Sequence, residues 1–329
     1  MTRWPIAAAI IAVVFASMPG VAHADAATPT DYRTAIVSVS PEIAGLVVTI
    51  EGGDSFVRLR APDGSEVIVF GYAGEPYLRF APDGTVSQNR LSAATYENQE
   101  RYGAVEVPSF VDYTAAPVWD EVADDATWAW HDHRAHWMGE EPLIGLEPGE
   151  SLPVQAIQIT VDGRPVSIAV ETTLVPAASW FPAAMGMLFG LTLTILGWWL
   201  GPATATLTTL VLSLGALVAG GGQYLSLPPE TGPLVWWWLM PAIAFGAGVV
   251  SIATYGRSDL LIRGLLALSG AQLALWGFLR RDVLTHPVLP TDIAFWFDRA
   301  ATAAALVGGT VVTILAVQSL VQARPVSSN

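Results

Sequence analysis

The chain of 329 residues has no cysteine, no lysine and only five histidines. Without cysteine it can hold no disulfide, no thiolate zinc site, no iron–sulfur cluster, no type-1 copper centre and no covalently attached haem. A metal here must take histidine, methionine, carboxylate or backbone ligands. Basic residues are scarce too: 15 arginines face 29 acidic residues, for a formal net charge of −14. Phosphate backbones are bound by clustered Lys and Arg, so the composition argues against nucleic acid as a partner. There is no HExxH pattern and no nucleophile motif.

The charge that is present is unevenly placed. Between Asp25 and Pro176 there are 24 acidic residues and 8 arginines, whereas beyond residue 178 apolar runs dominate. Residues 1–24 read as a secretory signal: Arg3, an apolar core from Ile6 to Ala16, and a small-x-small site at Ala22-His23-Ala24. The expected organisation is a signal peptide (1–24), an extracytoplasmic domain (25–178), a transmembrane domain (179–321) and a cytoplasmic tail (322–329).

Five apolar stretches approach the roughly 20 residues a bilayer requires: about 181–200, 204–223, 234–254, 260–279 and 299–319. Aromatic residues flank them, among them Trp180, Phe181, Trp198, Trp199, Trp236–Trp238 and Phe295–Phe297, at the depth where rings with one polar edge prefer to sit. A cleaved signal places the domain outside and, after five spans, the C-terminus inside. Arg257, Arg263 and Arg324 then obey the positive-inside rule, while Arg280 and Arg281 do not. No ionisable side chain falls deep within a span, which favours an anchor or partner-binding bundle over an ion-coupled transporter. Gly215, Ala219, Gly246, Ala267 and Ala271 are candidates for close helix packing, and Gln272 for an interhelical hydrogen bond.

The exported part reads as strands and turns. Segments 34–39, 45–50, 55–60, 66–72, 76–80, 154–161 and 165–175 are rich in β-branched and aromatic residues. Pro62-Asp63-Gly64, Pro82-Asp83-Gly84 and Asp162-Gly163 are candidate hairpin turns. The expectation is an all-β exported domain, an antiparallel sandwich of immunoglobulin or cupredoxin-like shape, followed by an α-helical membrane bundle of five spans.

Three of the five histidines fall in one short run, Trp128-Ala-Trp-His-Asp-His-Arg-Ala-His-Trp-Met138. If 127–133 extends as a strand, His131 and His133 share one face, and Trp128, Trp130 and Asp132 the other. A turn at Arg134-Ala135 would swing His136 back, and Met138 could follow as a soft fourth ligand. Nitrogen plus thioether suits copper; three nitrogens with an open position suit zinc. Asp132, Arg134, Trp128, Trp130 and Trp137 would surround the ligands. The alternative reading is a hydrogen-bonded Trp/His belt that serves structure or contacts an envelope protein partner. A weaker third reading is a zinc hydrolase with Glu140 or Glu141 as base. His286 lies in a loop on the same side as the cluster.

The segments GYAGEPYLRFAPDGTVSQN (71–89), SAATYENQERYG (92–103) and ATWAWHDHRAHWM (126–138) resemble an actinobacterial family of signal-bearing membrane proteins with an exported β-domain. The resemblance implies this architecture and singles out the Trp-His-Asp-His-Arg core; it implies no reaction. A more distant likeness, to copper-handling envelope proteins that join a small β-domain to a helix bundle, concerns architecture alone.

Overall fold

The computed structural model describes residues 26–102, 105–139 and 141–322. The signal segment, His23, Glu140, Arg324 and nearly all of the expected C-terminal tail lie outside the described residues.

Ten antiparallel strands form the first half. They are β1 (Tyr32–Ser40), β2 (Val47–Glu51), β3 (Phe56–Arg60), β4 (Val67–Phe70), β5 (Pro76–Phe80), β6 (Val86–Asn89), β7 (Trp119–Ala123), β8 (Thr127–Trp130), β9 (Gln155–Val161) and β10 (Arg164–Leu174). A short helix α1 (Ala94–Glu97) lies between β6 and β7. Seven strands make one sheet, in the order β1-β10-β9-β4-β5-β6-β7, and β2-β3-β8 make the other. Strand alternation supplies the core. Every second residue of β10, from Val166 to Val170, is buried and meets Val57, Leu59 and Trp130 of the smaller sheet in one apolar cluster.

The turn residues do two different jobs. Asp162 and Gly163 both have positive φ (49° and 74°), the backbone a two-residue hairpin needs when strands twist to the right, and they join β9 to β10. Pro82-Asp83-Gly84 likewise joins the paired strands β5 and β6. Pro62-Asp63-Gly64 is not a hairpin: β3 and β4 belong to different sheets, so this turn carries the chain from one layer of the sandwich to the other.

Five helices follow, each long and apolar enough to cross a membrane: α2 (Phe181–Leu200), α3 (Pro202–Ser226), α4 (Trp236–Ala253), α5 (Asp259–Leu279) and α6 (Phe295–Gln322). Glycine sets how closely they approach, though not at all the positions expected. A Cβ on Gly186 would lie 2.2 Å from the backbone oxygen of Ala300, and one on Gly220 would lie 1.8 Å from that of Trp237. A Cβ on Gly246 would meet nothing within 4 Å, and one on Gly215 only Ala301 at 4.0 Å, so neither is a close-approach site. Gln272 is buried, yet its Oε1 accepts no hydrogen bond. Hydrogen bonds between α5 and α4 are made instead by Ser269, whose hydroxyl donates to the Ala244 carbonyl at 2.9 Å, and by Trp276, whose Nε1 donates to the Trp237 carbonyl at 2.8 Å.

The bundle meets the sandwich through two loops. The α3–α4 loop brings Leu227 against Phe56 and Ala129 and Glu230 to 3.8 Å from Arg58. In the α5–α6 loop, Val288 exchanges two backbone hydrogen bonds with Thr30, at 3.0 and 3.1 Å. Both loops therefore lie on the β-domain side, as five consecutive spans require. Arg280 is buried in the same region. Its guanidinium bonds both oxygens of Asp298 at 2.8 Å, reaches Gln223, and lies 5.3 and 5.0 Å from the ring centroids of Trp237 and Trp276. Arg280 is therefore held in a buried ion pair, while Arg281 stays exposed.

Candidate metal centre

The histidines sit where a strand runs out of partner. β8 pairs with β3 as far as Trp130 opposite Val57, and β3 begins at Phe56. Beyond that point the chain leaves the sheet, so the expected strand 127–133 ends at Trp130 instead. Asp132 then caps a single 3-10 turn, His133–Ala135, by accepting the Arg134 backbone N–H at 3.0 Å. The turn is tied down by Thr34, which donates to the Ala135 carbonyl at 2.5 Å. It returns His136 to the side of His131: the ring centroids of these two are 4.3 Å apart, and each is 5.5 Å from that of His133. The turn at Arg134-Ala135 thus does what its sequence suggests, while strand parity does not place His133.

Each imidazole spends one nitrogen on a backbone carbonyl. His131 Nδ1 lies 2.7 Å from the Ser55 oxygen, His133 Nε2 2.9 Å from that of Glu100, and His136 Nδ1 2.7 Å from that of Trp137. A carbonyl can only accept, so these nitrogens carry the protons. That fixes the tautomers and leaves lone pairs on Nε2 of His131, Nδ1 of His133 and Nε2 of His136. The two Nε2 atoms are buried and bonded to nothing. One ligand atom from each residue lies within 4.8 Å of the other two. Tetrahedral zinc, with bonds of about 2.0–2.1 Å, holds its nitrogens about 3.3 Å apart, so even the widest of these gaps closes with about 1.5 Å of ring movement. Backbone carbonyls that orient imidazole ligands are the usual outer partners of histidine–metal sites.

The electrostatics hold the donors in their ligating form. Burial, then the Arg101 guanidinium, pushes His131 down to about 4. Burial, then His131 and Arg101, pushes His136 down to about 2. Both rings are neutral across the physiological range, and a neutral ring is what a metal binds. His133 is the least buried of the three and marks the approach to the site.

The neighbours expected around the ligands are present in altered roles. Asp132 is fully buried and holds Trp130 Nε1 at 2.9 Å and Arg134 at 2.8 Å; burial raises its carboxyl, but the Arg134 ion pair outweighs this and keeps it below its ordinary value. This pair bonds no imidazole directly. It reaches the cluster through Tyr72, whose ring lies 5.0 Å from the Arg134 guanidinium carbon, stacks on His133 and accepts the His133 backbone N–H at 2.9 Å. Trp130 is buried in the sandwich core and Trp128 packs against it, while Trp137 bonds the Glu141 carbonyl at 2.7 Å. Met138 is exposed. His286 lines a small polar cleft together with Arg101 and Trp137.

Five contributors carried no signal in the histidine run: Asp54, Ser55, Tyr72, Glu100 and Arg101. Two of them act through backbone carbonyls, which no side-chain pattern reveals. Glu100 and Arg101 lie in the segment 92–103 that the family resemblance includes, and Glu100 meets the cluster through its carbonyl. No family model matches the chain, and comparison with curated proteins and with solved structures likewise finds no match.

Proposed function

We propose that the chain is a membrane-anchored, extracytoplasmic metal-binding protein, and that copper is the metal, held for storage, delivery or sensing. One observation carries this reading: three imidazoles, each with one nitrogen on a backbone carbonyl, bring ligand atoms within 4.8 Å of one another, and two of them keep a buried nitrogen without any partner. A purely structural histidine belt would satisfy those atoms, because a buried unpaired acceptor costs about 1–3 kcal/mol. An all-nitrogen donor set ranks copper above zinc in affinity; Zn(II) with water in the open position is the alternative.

The signal-like segment 1–24 and the five spans support an exported β-domain and a cytoplasmic C-terminus, and the resemblance to signal-bearing membrane proteins supports the same arrangement. The competing reading, a Trp/His surface for another envelope protein, has little surface to work with, since Trp130, His131 and His136 are each 5% exposed or less. The full-length protein, purified in nanodiscs and treated with chelator, tests the assignment by titration with Cu(I), Cu(II) and Zn(II). Wild type is expected to bind one equivalent of copper, and a variant with His131→Ala, His133→Ala and His136→Ala none. Equal binding by both proteins would return the cluster to a structural role.

A further inference from the structure

The carbonyls that hold His131 and His133 belong to residues adjacent to a buried ion pair. Ser55 follows Asp54 and Glu100 precedes Arg101, and Arg101 Nη2 lies 2.5 Å from Asp54 Oδ2. Asp54 is fully buried and Arg101 is 4% exposed, so the pair locks two chain segments 47 residues apart. One of those segments sets the direction of His131, the other that of His133.

The same pair is linked to the membrane bundle. Thr30 donates to Asp54 Oδ2 at 3.2 Å, while its backbone pairs with Val288 of the α5–α6 loop. The turn that carries Asp54 is also pressed against that loop. Gly53 has φ of 85°, and a Cβ there would lie 2.4 Å from Val288 Cγ1. The loop is in turn fixed to α6, because Arg299 bonds the carbonyls of His286 and Pro287 at 2.6 and 3.0 Å. A short chain of direct contacts thus runs from the imidazoles, through the 52–55 turn, to a loop between two spans.

We infer that the Asp54–Arg101 pair and the 52–55 turn couple occupancy of the tri-histidine site to the α5–α6 loop, so that metal binding tightens the junction between sandwich and bundle. The inference rests on the metal-binding reading above and adds its regulation: the site signals to the bundle. Drawing His131 and His133 toward a shared ion pulls on the Ser55 and Glu100 carbonyls. The ion pair makes those two segments move together, and Val288 rests on the moving turn. Coupling of this kind is reciprocal, so a change at the loop must alter affinity at the site.

Hydrogen exchange on the full chain in nanodiscs reads the effect, with Cu(I) and Zn(II) each added alone. At saturation the amides of Thr30 and Val288 are expected to exchange about 5-fold or more slowly than in the metal-free protein, in keeping with ordinary coupling strengths. Asp54→Asn, which keeps the shape and removes the charge, should erase that response while metal still binds. Val288→Ala touches no ligand and leaves the ion pair intact; it should shift metal affinity by about 5-fold, which a residue that merely packs would not do. Wild type that binds metal with unchanged exchange at Thr30 and Val288 overturns this inference alone, as does Val288→Ala with wild-type affinity. Wild type that binds neither ion overturns the metal-binding reading together with it.

Discussion

Metal-free protein should lose stability on mild acidification, and the histidines set how steeply. In the folded chain His131 is depressed from its ordinary 6.5 to about 4, and His136 to about 2. Unfolding releases both rings to water, where they take up protons near pH 6.5. Below that pH the unfolded state binds protons that the native state refuses, so stability is fully present above about 6.5 and falls as the pH drops toward 4. For His131 the difference of about 2.5 units corresponds to about 3 kcal/mol. With both rings unprotonated in the native state, the slope approaches about 3 kcal/mol per pH unit. Against a total stability of about 5–15 kcal/mol, that is enough to unfold a marginal domain. Urea midpoints of the chelator-treated full chain, followed by near-UV circular dichroism between pH 7 and 4.5, would measure it. The control is the double variant His131→Asn, His136→Asn, whose amides can still donate to the Ser55 and Trp137 carbonyls but do not titrate. Contributions from carboxylates are common to both proteins and cancel in the difference. Wild type and variant with parallel pH profiles would refute the reasoning, since the buried rings would then not be neutral donors.

Four further outcomes follow from the geometry. Arg280→Leu alone strands Asp298 in the bundle and should destabilise the protein by about 3–5 kcal/mol in detergent-unfolding assays, whereas Arg280→Leu with Asp298→Leu should recover most of the loss. Gly220→Ala places a methyl against the Trp237 carbonyl and should cost about 1–3 kcal/mol by overpacking in the same assay, with Gly246→Ala as the harmless comparison. Met138 is exposed and lies outside the three-imidazole set, so Met138→Ala should leave Cu(I) and Zn(II) affinity almost unchanged in chelator competition; a loss confined to Cu(I) would make the thioether a fourth, soft ligand. A reporter fused after Asn329 should be active only in the cytoplasm, and activity outside would mean that the span count or the signal assignment is wrong.

The parts of the fold that repeat were legible in the sequence. Strand alternation from Val166 to Val170 and apolar runs the length of a bilayer each state their environment many times over, so seven strands and five spans stood out. Contacts made once were not legible. The turn at 62–64 matches the one at 82–84 in composition, yet it changes sheets, because what differs is the partner of the next strand and not the turn itself. Gly215 and Gly246 look as suitable for close packing as Gly186 and Gly220, and only the neighbouring backbone separates them.

The histidine cluster shows why parity failed where clustering succeeded. Periodicity describes a side chain only while its strand keeps a partner, and β8 loses its partner at Trp130 because β3 starts at Phe56. From there the direction of each imidazole is decided by a carbonyl far away in sequence: His131 by Ser55, 76 residues earlier, and His133 by Glu100, 33 residues earlier. The residues that could converge were visible at once as a run of three histidines. Their convergence depends on a sandwich edge, a capped turn and an ion pair between Asp54 and Arg101, each of which exists only in the folded chain. Because the turn that carries Asp54 also lies against Val288 through Gly53, the structure that orients the imidazoles is continuous with the one that joins the β-domain to the bundle. A mutation that loosens the junction should therefore be felt at the histidine cluster before it is felt in the core of either domain.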